Sequence, residues 1–461
     1  MEKVLAQQVF SLPMGEERYL VYAPLKKIAF IGNPALINAV AMEARAPDDE
    51  KGSEFSILSK LDFFNPEPLP VDEFLADGVC YDAVVLFLTN QCNLKCTYCY
   101  ASSGEHPTRQ MTWDVAKAAI DRVAEDVTRH ELPAMTLGFH GGGEPTLNHE
   151  VLVRAVNYAR ELAADNDIKL NVTGAFNGAW APTARDFVLA NFTELSMSFD
   201  GLPEVQDRQR PHPNGKGSFA EVAKTLRALD KIKMPYGIRA TVTGDVVAQM
   251  AEGVTYICNH FKPRKIQVEP VFMEGRARGL DDHVAPEVFI EQYIEALKIA
   301  RTHDIELFYS GARLKVIATR FCLAACRALV VTPDGDVTTC FETYDRDHPL
   351  SERFVVGKFM GDGRFYIDKE KLNKHFNHTV DQISHCEGCF CKWHCAGDCA
   401  IKTWQGGMDD NFEPSSRCEV NRELTKYHIL EDKDVKEFYL GIKSETSAKG
   451  YQRWKRKKAW R

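Results

Sequence analysis

The sequence predicts an α/β fold in which a partial (β/α)6 barrel lies between a small N-terminal α+β domain and a C-terminal cysteine-rich domain. Six apolar strand patterns alternate with helical patterns between residues 81 and 310, as parallel β/α units require. The 14 cysteines of the 461-residue chain are concentrated at 92–99 and 322–418. Because the chain shows no secretory signal at its start, clustered cysteines indicate metal ligands rather than disulfides.

Composition and hydropathy argue against two classes of protein. The net charge of −8 and the pI of about 6.0 give no general attraction for nucleic acid. No apolar run approaches the roughly 18–20 residues that cross a bilayer. With 44% apolar residues the chain can bury a sizeable core, and we expect a cytoplasmic protein that does not bind membranes.

Residues 1–80 are predicted to form the N-terminal domain. Strand patterns at 18–24 and 27–32 precede a helix that starts at Asn33-Pro34, and an acidic stretch at 47–54 leads towards a proline-rich linker. At the other end, residues 431–461 are predicted to be a basic tail, since six of its last eleven residues are Lys or Arg.

Residues 81–310 are predicted to form the barrel and residues 311–430 the cysteine-rich domain. The predicted strands are 84–89, 135–141, 169–174, 195–201, 237–243 and 265–272. The predicted helices include 113–129, 149–163, 218–230, 248–258 and 287–302. In such barrels the chemistry takes place at the C-terminal ends of the strands, which is where the motifs below lie.

The first motif follows the first strand directly. Cys92, Cys96 and Cys99 are spaced C-x3-C-x2-C. A cube of four irons needs four ligands, so three thiolates leave one iron open to a reagent. The alternative is a structural zinc site, but zinc prefers four closed ligands and the nearest further candidate is His106.

This motif resembles the hallmark of the radical S-adenosylmethionine (SAM) superfamily, C-x3-C-x-aromatic-C, with Tyr98 as the aromatic residue. The resemblance implies a [4Fe-4S] cluster on Cys92, Cys96 and Cys99. In the family this cluster reduces SAM and releases a 5′-deoxyadenosyl radical, which abstracts hydrogen from the substrate. The protein supplies the binding geometry and the exclusion of water.

Three later turns and one arginine resemble SAM-binding elements of the same superfamily. They are Gly142-Gly143-Glu144-Pro145, the Asn-Gly turn at Asn177, the Ser-x-Asp-Gly turn at Ser198 and Asp200, and Arg210. The resemblance assigns Glu144 to the amino group of SAM, Ser198 and Asp200 to the neighbourhood of its ribose, and Arg210 to its carboxylate. A helix-capping serine, a turn aspartate and a surface arginine are the structural alternatives.

The C-terminal cysteines resemble those of the SPASM domain, which holds two auxiliary [4Fe-4S] clusters through interleaved ligands. The resemblance implies one cluster on Cys322, Cys326, Cys340 and Cys399, and a second on Cys386, Cys389, Cys395 and Cys418. Cys391 is the ninth cysteine for eight places, and the spacing of Cys322 and Cys326 is tighter than the pattern. Zinc held with His394 is the alternative. Cys80 and Cys258 are interpreted as buried thiols.

SPASM-containing members of the superfamily mostly act on peptides or proteins. We therefore expect an oxidoreductase that matures a ribosomally synthesised peptide (a RiPP) by forming a thioether or carbon–carbon crosslink. A flavodoxin or ferredoxin is the expected electron donor. Residues 1–80 then serve either as a recognition element that binds a leader peptide along a strand edge, or as an extension packed on the barrel.

Three other functions are weighed against this one. Anaerobic sulfatase-maturating enzymes place Asp directly after the cysteine that corresponds to Cys340, whereas this chain has Phe341 and then Glu342. A non-catalytic iron–sulfur electron carrier leaves the SAM-like turns unexplained. An enzyme that modifies nucleic acid is supported by the basic tail alone, and a charged terminus is usually just solvated.

Overall fold

The computed structural model describes residues 3–6, 8–43, 63, 67–70, 80–278, 283–322, 324, 327–403, 412, 414–431 and 436–438. The acidic stretch 47–54, Cys326 and the basic segment beyond residue 438 lie outside the described residues. Among the helices described, none combines the length and the apolar character that a membrane crossing needs.

The described strands form two sheets. In chain order they are β1 Lys3–Ala6, β2 Val9–Pro13, β3 Tyr19–Ala23, β4 Ile28–Gly32, β5 Ala83–Leu86, β6 Ala134–Phe139, β7 Lys169–Phe176, β8 Glu194–Ser198, β9 Tyr236–Val242, β10 Lys265–Pro270, β11 Glu306–Phe308, β12 Ala328–Val331, β13 Asp336–Thr338, β14 Val355–Phe359, β15 Phe365–Ile367 and β16 Lys436–Phe438. The helices are α1 Pro34–Glu43, α2 Trp113–Arg129, α3 His149–Asp165, α4 Pro182–Asn191, α5 Pro203–Gln209, α6 Phe219–Ile232, α7 Met250–His260, α8 Pro286–Thr302, α9 Ser351–Phe354, α10 Lys369–Asn377, α11 Lys392–Cys395, α12 Ala400–Thr403 and α13 Arg417–Leu430.

The larger sheet has the order β11-β10-β9-β8-β7-β6-β5-β12-β13-β14-β15. Strands β5 to β11 are parallel neighbours, and β12 joins β5 in parallel before the sheet continues as an antiparallel meander. The predicted α/β fold with six parallel units is confirmed, and β11 adds a seventh strand. In the described residues the sheet remains open, with β11 and β15 at its two edges.

The register of β5 and β6 sets the position of the two most distinctive motifs. Leu86, the last residue of β5, lies opposite Phe139, the last residue of β6. The cysteine loop after β5 and the glycine-rich turn after β6 therefore leave the sheet at the same edge. The strands hold this register because alternate apolar residues, such as Val84 and Leu137, are fully buried under the helices.

The smaller sheet has the order β1-β2-β3-β4-β16. Strands β1 to β4 form an antiparallel meander, whereas β16, from the far end of the chain, pairs in parallel with β4. Asn33 caps α1 as predicted, because its Oδ1 accepts a hydrogen bond from the Leu36 amide.

The two faces of this N-terminal sheet have different neighbours. Val21 and Phe30 on one face pack under α1. On the opposite face, Phe10 and Tyr22 pack against the cysteine-rich region around Phe390. The N-terminal sheet therefore covers part of the cysteine-rich region with one of its faces.

Candidate functional site

The cysteine loop and the glycine-rich turn are pressed together at the end of β5 and β6. The Glu144 amide donates to the Gln91 carbonyl at 2.8 Å. A Cβ added to Gly143 would lie 2.2 Å from the same carbonyl oxygen, so only glycine permits this approach. The turn thus fixes the chain immediately before Cys92.

The three thiols of the loop form one group. Cys92, Cys96 and Cys99 are each partly buried, and each lies within electrostatic range of the others. Burial raises the pKa of Cys92 to about 12 and that of Cys96 to about 11. Both thiols therefore carry protons at neutral pH, and a metal must displace these protons to bind.

Each of the three sulfurs has a polar neighbour from another part of the chain. Asn177 Nδ2 donates to Cys92 Sγ at 3.6 Å, and Arg210 Nη1 donates to Cys96 Sγ at 3.9 Å. Ser103 Oγ lies 3.5 Å from Cys99 Sγ and donates to the Gly142 carbonyl. The Asn177 and Arg210 donors favour negative charge on sulfur, as cluster-binding thiolates require, whereas the hydroxyl hydrogen of Ser103 is used by the Gly142 carbonyl.

Three of the predicted SAM-site residues form a buried network. Tyr98 Oη donates to Asp200 Oδ2 at 2.6 Å, and Arg210 Nε donates to the same oxygen at 3.0 Å. The Thr241 amide donates to the other oxygen of Asp200 at 3.0 Å. Burial opposes the charge of Arg210, but the carboxylate of Asp200 raises its pKa above the usual value. Asp200 thereby ties the cysteine loop to β8 and β9.

Glu144 and Asn177, also predicted, meet directly. Glu144 is 2% exposed and accepts hydrogen bonds from the Asn177 amide at 2.9 Å, Thr146 Oγ1 at 2.9 Å and Trp180 Nε1 at 3.1 Å. Burial raises the pKa of Glu144, and these hydrogen bonds oppose the shift. Pro145 opens the short helical turn that follows, and Ser198 is partly exposed at the end of β8. No motif in the sequence indicated Trp180, which follows the Asn-Gly turn.

A second group of thiols includes Cys340, which comes directly after the β12–β13 hairpin. Cys322, Cys340 and Cys399 lie within electrostatic range of one another. The Glu342 amide donates to Cys340 Sγ at 3.4 Å, and burial raises the pKa of Cys399 to about 12. The structure thus brings together all the predicted ligands of the first auxiliary cluster that it describes.

A third group contains five thiols. Cys386, Cys389, Cys395 and Cys418 lie within electrostatic range of one another, as the interleaved pattern predicts. Cys391, which was not among the eight predicted ligands, lies in the same group, with its Sγ 3.3 Å from that of Cys389. Among the described residues, no His, Cys, Asp and Glu side chains are arranged to hold a single metal ion. The fit to a larger cluster rests on the number and convergence of the thiols.

The N-terminal sheet covers this third group. Tyr22 Oη lies 2.5 Å from His394 Nε2, and the other ring nitrogen of His394 lies 2.9 Å from the Val316 carbonyl oxygen. Trp393 Nε1 donates to Gln8 Oε1 at 2.8 Å. Because both nitrogens of His394 already have partners, this side chain is not placed as a zinc ligand.

The strand-end site has a counterpart in a known superfamily. Residues 86–249 match the Radical SAM superfamily. This part of the chain is a radical SAM domain. Its boundaries enclose the cysteine loop, the glycine-rich turn and the network around Asp200.

Relatives of the radical SAM domain include maturases of peptides and of sulfatases. An uncharacterized protein of Methanocaldococcus jannaschii is 30% identical over 187 residues, 40% of this chain and 60% of that protein. The mycofactocin maturase MftC of Mycolicibacterium smegmatis is 25% identical over 60% of this chain and 67% of its own length. A serine-type anaerobic sulfatase-maturating enzyme of Klebsiella aerogenes is 21% identical over 67% of this chain and 76% of its own. The chain thus spans less than two thirds of the first of these relatives.

Two solved structures share the fold. The structure of anSMEcpe with bound AdoMet and Kp18Cys peptide superimposes with a TM-score of 0.60 at 18% identity, covering 76% of this chain and 98% of that one. Streptococcus suis SuiB bound to the precursor peptide SuiA gives a TM-score of 0.52 at 11% identity, covering 90% of this chain and 99% of that one. At these identities the likeness establishes the fold.

A group of polar side chains lies between the radical SAM cysteines and Cys340. Tyr100 is within electrostatic range of both Cys99 and Cys340, and also of Arg239 and Glu342. Next to it, burial lowers the pKa of His140 to about 4, so this imidazole is neutral at pH 7. The ring of Phe341 is stacked on that of His140 at 5.0 Å. The sequence offered no motif for Tyr100, His140 or Arg239.

Proposed function

We propose that this chain is a radical SAM peptide maturase, which forms a thioether or carbon–carbon crosslink in a ribosomally synthesised peptide. One observation carries the proposal. The described thiols converge as three separate groups. One lies at the strand ends of the radical SAM domain, and two lie in the cysteine-rich region that follows it in the chain. A maturase that uses three [4Fe-4S] clusters needs this arrangement, whereas an electron carrier has no use for the turns that surround the first group.

The thiols and the turns have distinct tasks in this proposal. Cys92, Cys96 and Cys99 hold the cluster that faces SAM, and Gly142 to Pro145, Asn177, Ser198, Asp200 and Arg210 shape the SAM site around it. The two C-terminal groups, with Cys326 in the first of them, hold the auxiliary clusters. With SAM bound, the first cluster supplies a 5′-deoxyadenosyl radical that can remove hydrogen from an unactivated carbon.

The chain's own groups prepare the site for that chemistry. Asn177 and Arg210 donate to sulfur and so favour the thiolate form that binds iron. Asp200 neutralises the charge of Arg210 and, through Tyr98, holds the cysteine loop beside β8 and β9. Arg239 and Glu342 add charged groups beside the neutral His140, where a peptide between the cysteine groups would be bound.

The likeness to MftC and to SuiB, a protein solved with a precursor peptide, supports a peptide substrate. The sulfatase-maturating alternative is weaker. The position after Cys340 holds Phe341, whose ring is stacked on His140 and which offers no carboxylate. Electrons come from a flavodoxin or a ferredoxin in this proposal.

A leader peptide can add to the N-terminal sheet only where an edge is available. The β4 edge is paired with β16, in a register that places Lys436 opposite Phe30 and Phe438 opposite Gly32. The edge strands of this sheet among the described strands are therefore β1, residues 3–6, and β16, residues 436–438. We place leader binding at the outer edge of β1, because it is the longer of the two strands.

The test combines an assay of SAM cleavage with a peptide substrate. Full-length protein is reconstituted anaerobically, reduced, and incubated with SAM and a short precursor peptide encoded beside its gene. We expect 5′-deoxyadenosine together with a peptide lighter by two hydrogens in mass spectrometry. A formylglycine product on a sulfatase peptide would favour the alternative, and the absence of 5′-deoxyadenosine would refute both.

A further inference from the structure

The loop that follows β10, like the glycine-rich turn, contacts the cysteine loop. It forms a short turn, Gly275–Ala277, whose Arg276 amide donates to the Cys99 carbonyl at 3.0 Å. The Arg276 side chain reaches further, since one Nη donates to the Cys96 carbonyl at 2.9 Å and the other to the Ser103 carbonyl. One residue thus binds three carbonyl groups of the cysteine loop.

The guanidinium of Arg276 is sheltered and paired. Its side chain is 11% exposed, and its Nε donates to Glu105 Oε1 at 2.6 Å. A planar fork of five N–H donors can serve several acceptors in fixed directions, which a lysine ammonium cannot. The hydrogen bonds to Cys96 and Ser103 therefore specify the path of the loop as well as holding it.

Gly275 makes this close approach possible. Its φ of +56° lies in the left-handed region, and an added Cβ would lie 2.3 Å from the carbonyl oxygens of both Cys99 and Tyr100. A side chain at this position would therefore strain the turn and push the two loops apart.

The same loop extends to the neighbourhood of the first auxiliary group. Lys402 Nζ lies 5.0 Å from the centre of the Phe272 ring and 3.6 Å from Glu342 Oε1. Glu342 in turn donates its amide to Cys340 Sγ. The loop after β10 therefore contacts the cysteine loop at one end and, at the other, contacts Lys402, which pairs with Glu342 in the Cys340 segment.

We infer that Arg276 is a positioning residue, which holds Cys96 and Cys99 at the spacing that a cluster requires. The inference rests on the proposed role of Cys92, Cys96 and Cys99 as ligands. Residues that orient metal ligands from outside typically change metal affinity or activity by about 10- to 100-fold when they are replaced.

The test compares R276A, R276K and G275A with a control in the same turn, R278A. Arg278 forms a salt bridge with Glu274, and its side chain is 60% exposed. In the cluster-free full-length protein, we expect faster hydrogen–deuterium exchange over residues 96–105 in R276A and G275A. R278A should exchange like the unaltered protein, and R276K should fall between, because lysine keeps the charge without the fork.

The reconstituted holoenzyme gives the second measurement. Under a chelator, R276A should lose about four of its roughly twelve irons about 10- to 100-fold faster than R278A, while the remaining irons stay bound. The electron paramagnetic resonance signal that changes when SAM is added should decrease in proportion to the iron that is lost.

The outcomes separate the inference from the proposed function. Equal exchange and equal iron loss in R276A and R278A would overturn the positioning role. If R276A is insoluble, G275A and R276K decide by the same two measurements. If the unaltered protein binds no iron at Cys92, Cys96 and Cys99, but R276A still loosens residues 96–105, the positioning role stands and the proposed function fails.

Discussion

The first and third cysteine groups differ in what surrounds them. Cys92, Cys96 and Cys99 are partly exposed at the C-terminal ends of the parallel strands, where loops and turns meet. The third group has five thiols, of which Cys386, Cys389, Cys391 and Cys395 are buried, and the N-terminal sheet packs against it through Phe10 and Tyr22.

This difference bears on which of the two groups leaves a metal coordination position open to a reagent. Catalytic metal sites keep a coordination position open, whereas structural and electron-transferring sites are closed by protein ligands. Three thiols at an accessible strand end leave such a position. Five thiols beneath a sheet leave none, so under the proposed function the third group would store or pass electrons.

Removing the first group should have the largest effect. Replacing Cys92, Cys96 and Cys99 together with Ala is expected to abolish 5′-deoxyadenosine formation, because the other groups lack the surrounding SAM turns. About eight of roughly twelve irons should remain. Iron assay and chromatography of the SAM products check both. Residual 5′-deoxyadenosine would show that another site cleaves SAM.

Within the third group, C395A and C391A form a matched pair. C395A should lose about four irons, because it removes a predicted ligand, and C391A should lose none. Iron content and absorbance of the anaerobically reconstituted variants are the measurements. If C391A loses the cluster and C395A keeps it, Cys391 is the ligand and the interleaved pattern is shifted in this chain.

Arg417 connects strand β10 of the large sheet to the helix that carries Cys418, and replacing it should weaken that connection. Its guanidinium donates to Asp398 Oδ2 at 2.8 Å and to Glu269 Oε2 at 3.2 Å, and so joins β10 to the helix of Cys418. Burial would raise the pKa of Asp398, but the charge of Arg417 holds it below the usual value. R417A leaves two buried carboxylates and should cost about 3–5 kcal/mol of unfolding free energy.

A control for R417A is available on the surface. Arg301 pairs with Glu431 at 3.2 Å, and both side chains are nearly half exposed. R301A should therefore cost only about 0–1 kcal/mol. Denaturant titration followed by circular dichroism measures both variants, and equal losses would mean that the buried network contributes no more than a surface pair.

The smallest expected effect concerns pH. Burial lowers the pKa of His428, on the helix of Cys418, to about 4, against about 6.5 in an unfolded chain. The folded protein keeps this imidazole neutral, so its contribution to stability is full above pH 6.5 and is lost as the pH falls towards 4. H428Q should flatten the decline of the thermal midpoint over this range. H303Q, which changes an exposed histidine at the end of α8, should leave the decline unchanged.

Local patterns in the sequence predicted the parallel sheet well, because its strands and helices are long and regular. The helix expected at 113–129 is observed at Trp113–Arg129. Helix α4 and the short strands β1, β2, β11 and β16 were missed. Strand β16 has three residues, and its pairing with β4 depends on a contact between the two ends of the chain that no local pattern records.

The candidate site divides in the same way. Cysteine spacing and glycine-rich turns are local, so the sequence indicated the three groups and the turns around the first. Arg276 lies in the sequence Gly-Arg-Ala-Arg, where an arginine is expected to be a solvent-exposed surface charge. Only the folded chain brings it to Cys96. Cys391 was set apart because it breaks a spacing, yet it lies beside Cys389.

The pairing of β16 with β4 also has a consequence for the order in which the protein is made. Domains fold from the N-terminus during synthesis, so β2, β3 and β4 are available long before Cys386 to Cys418 leave the ribosome. The edge of β4 stays unpaired until residue 438 has been added. The third cysteine group therefore docks onto a sheet that is already present, and β16, which pairs with the β4 edge, is added only after all five of its thiols.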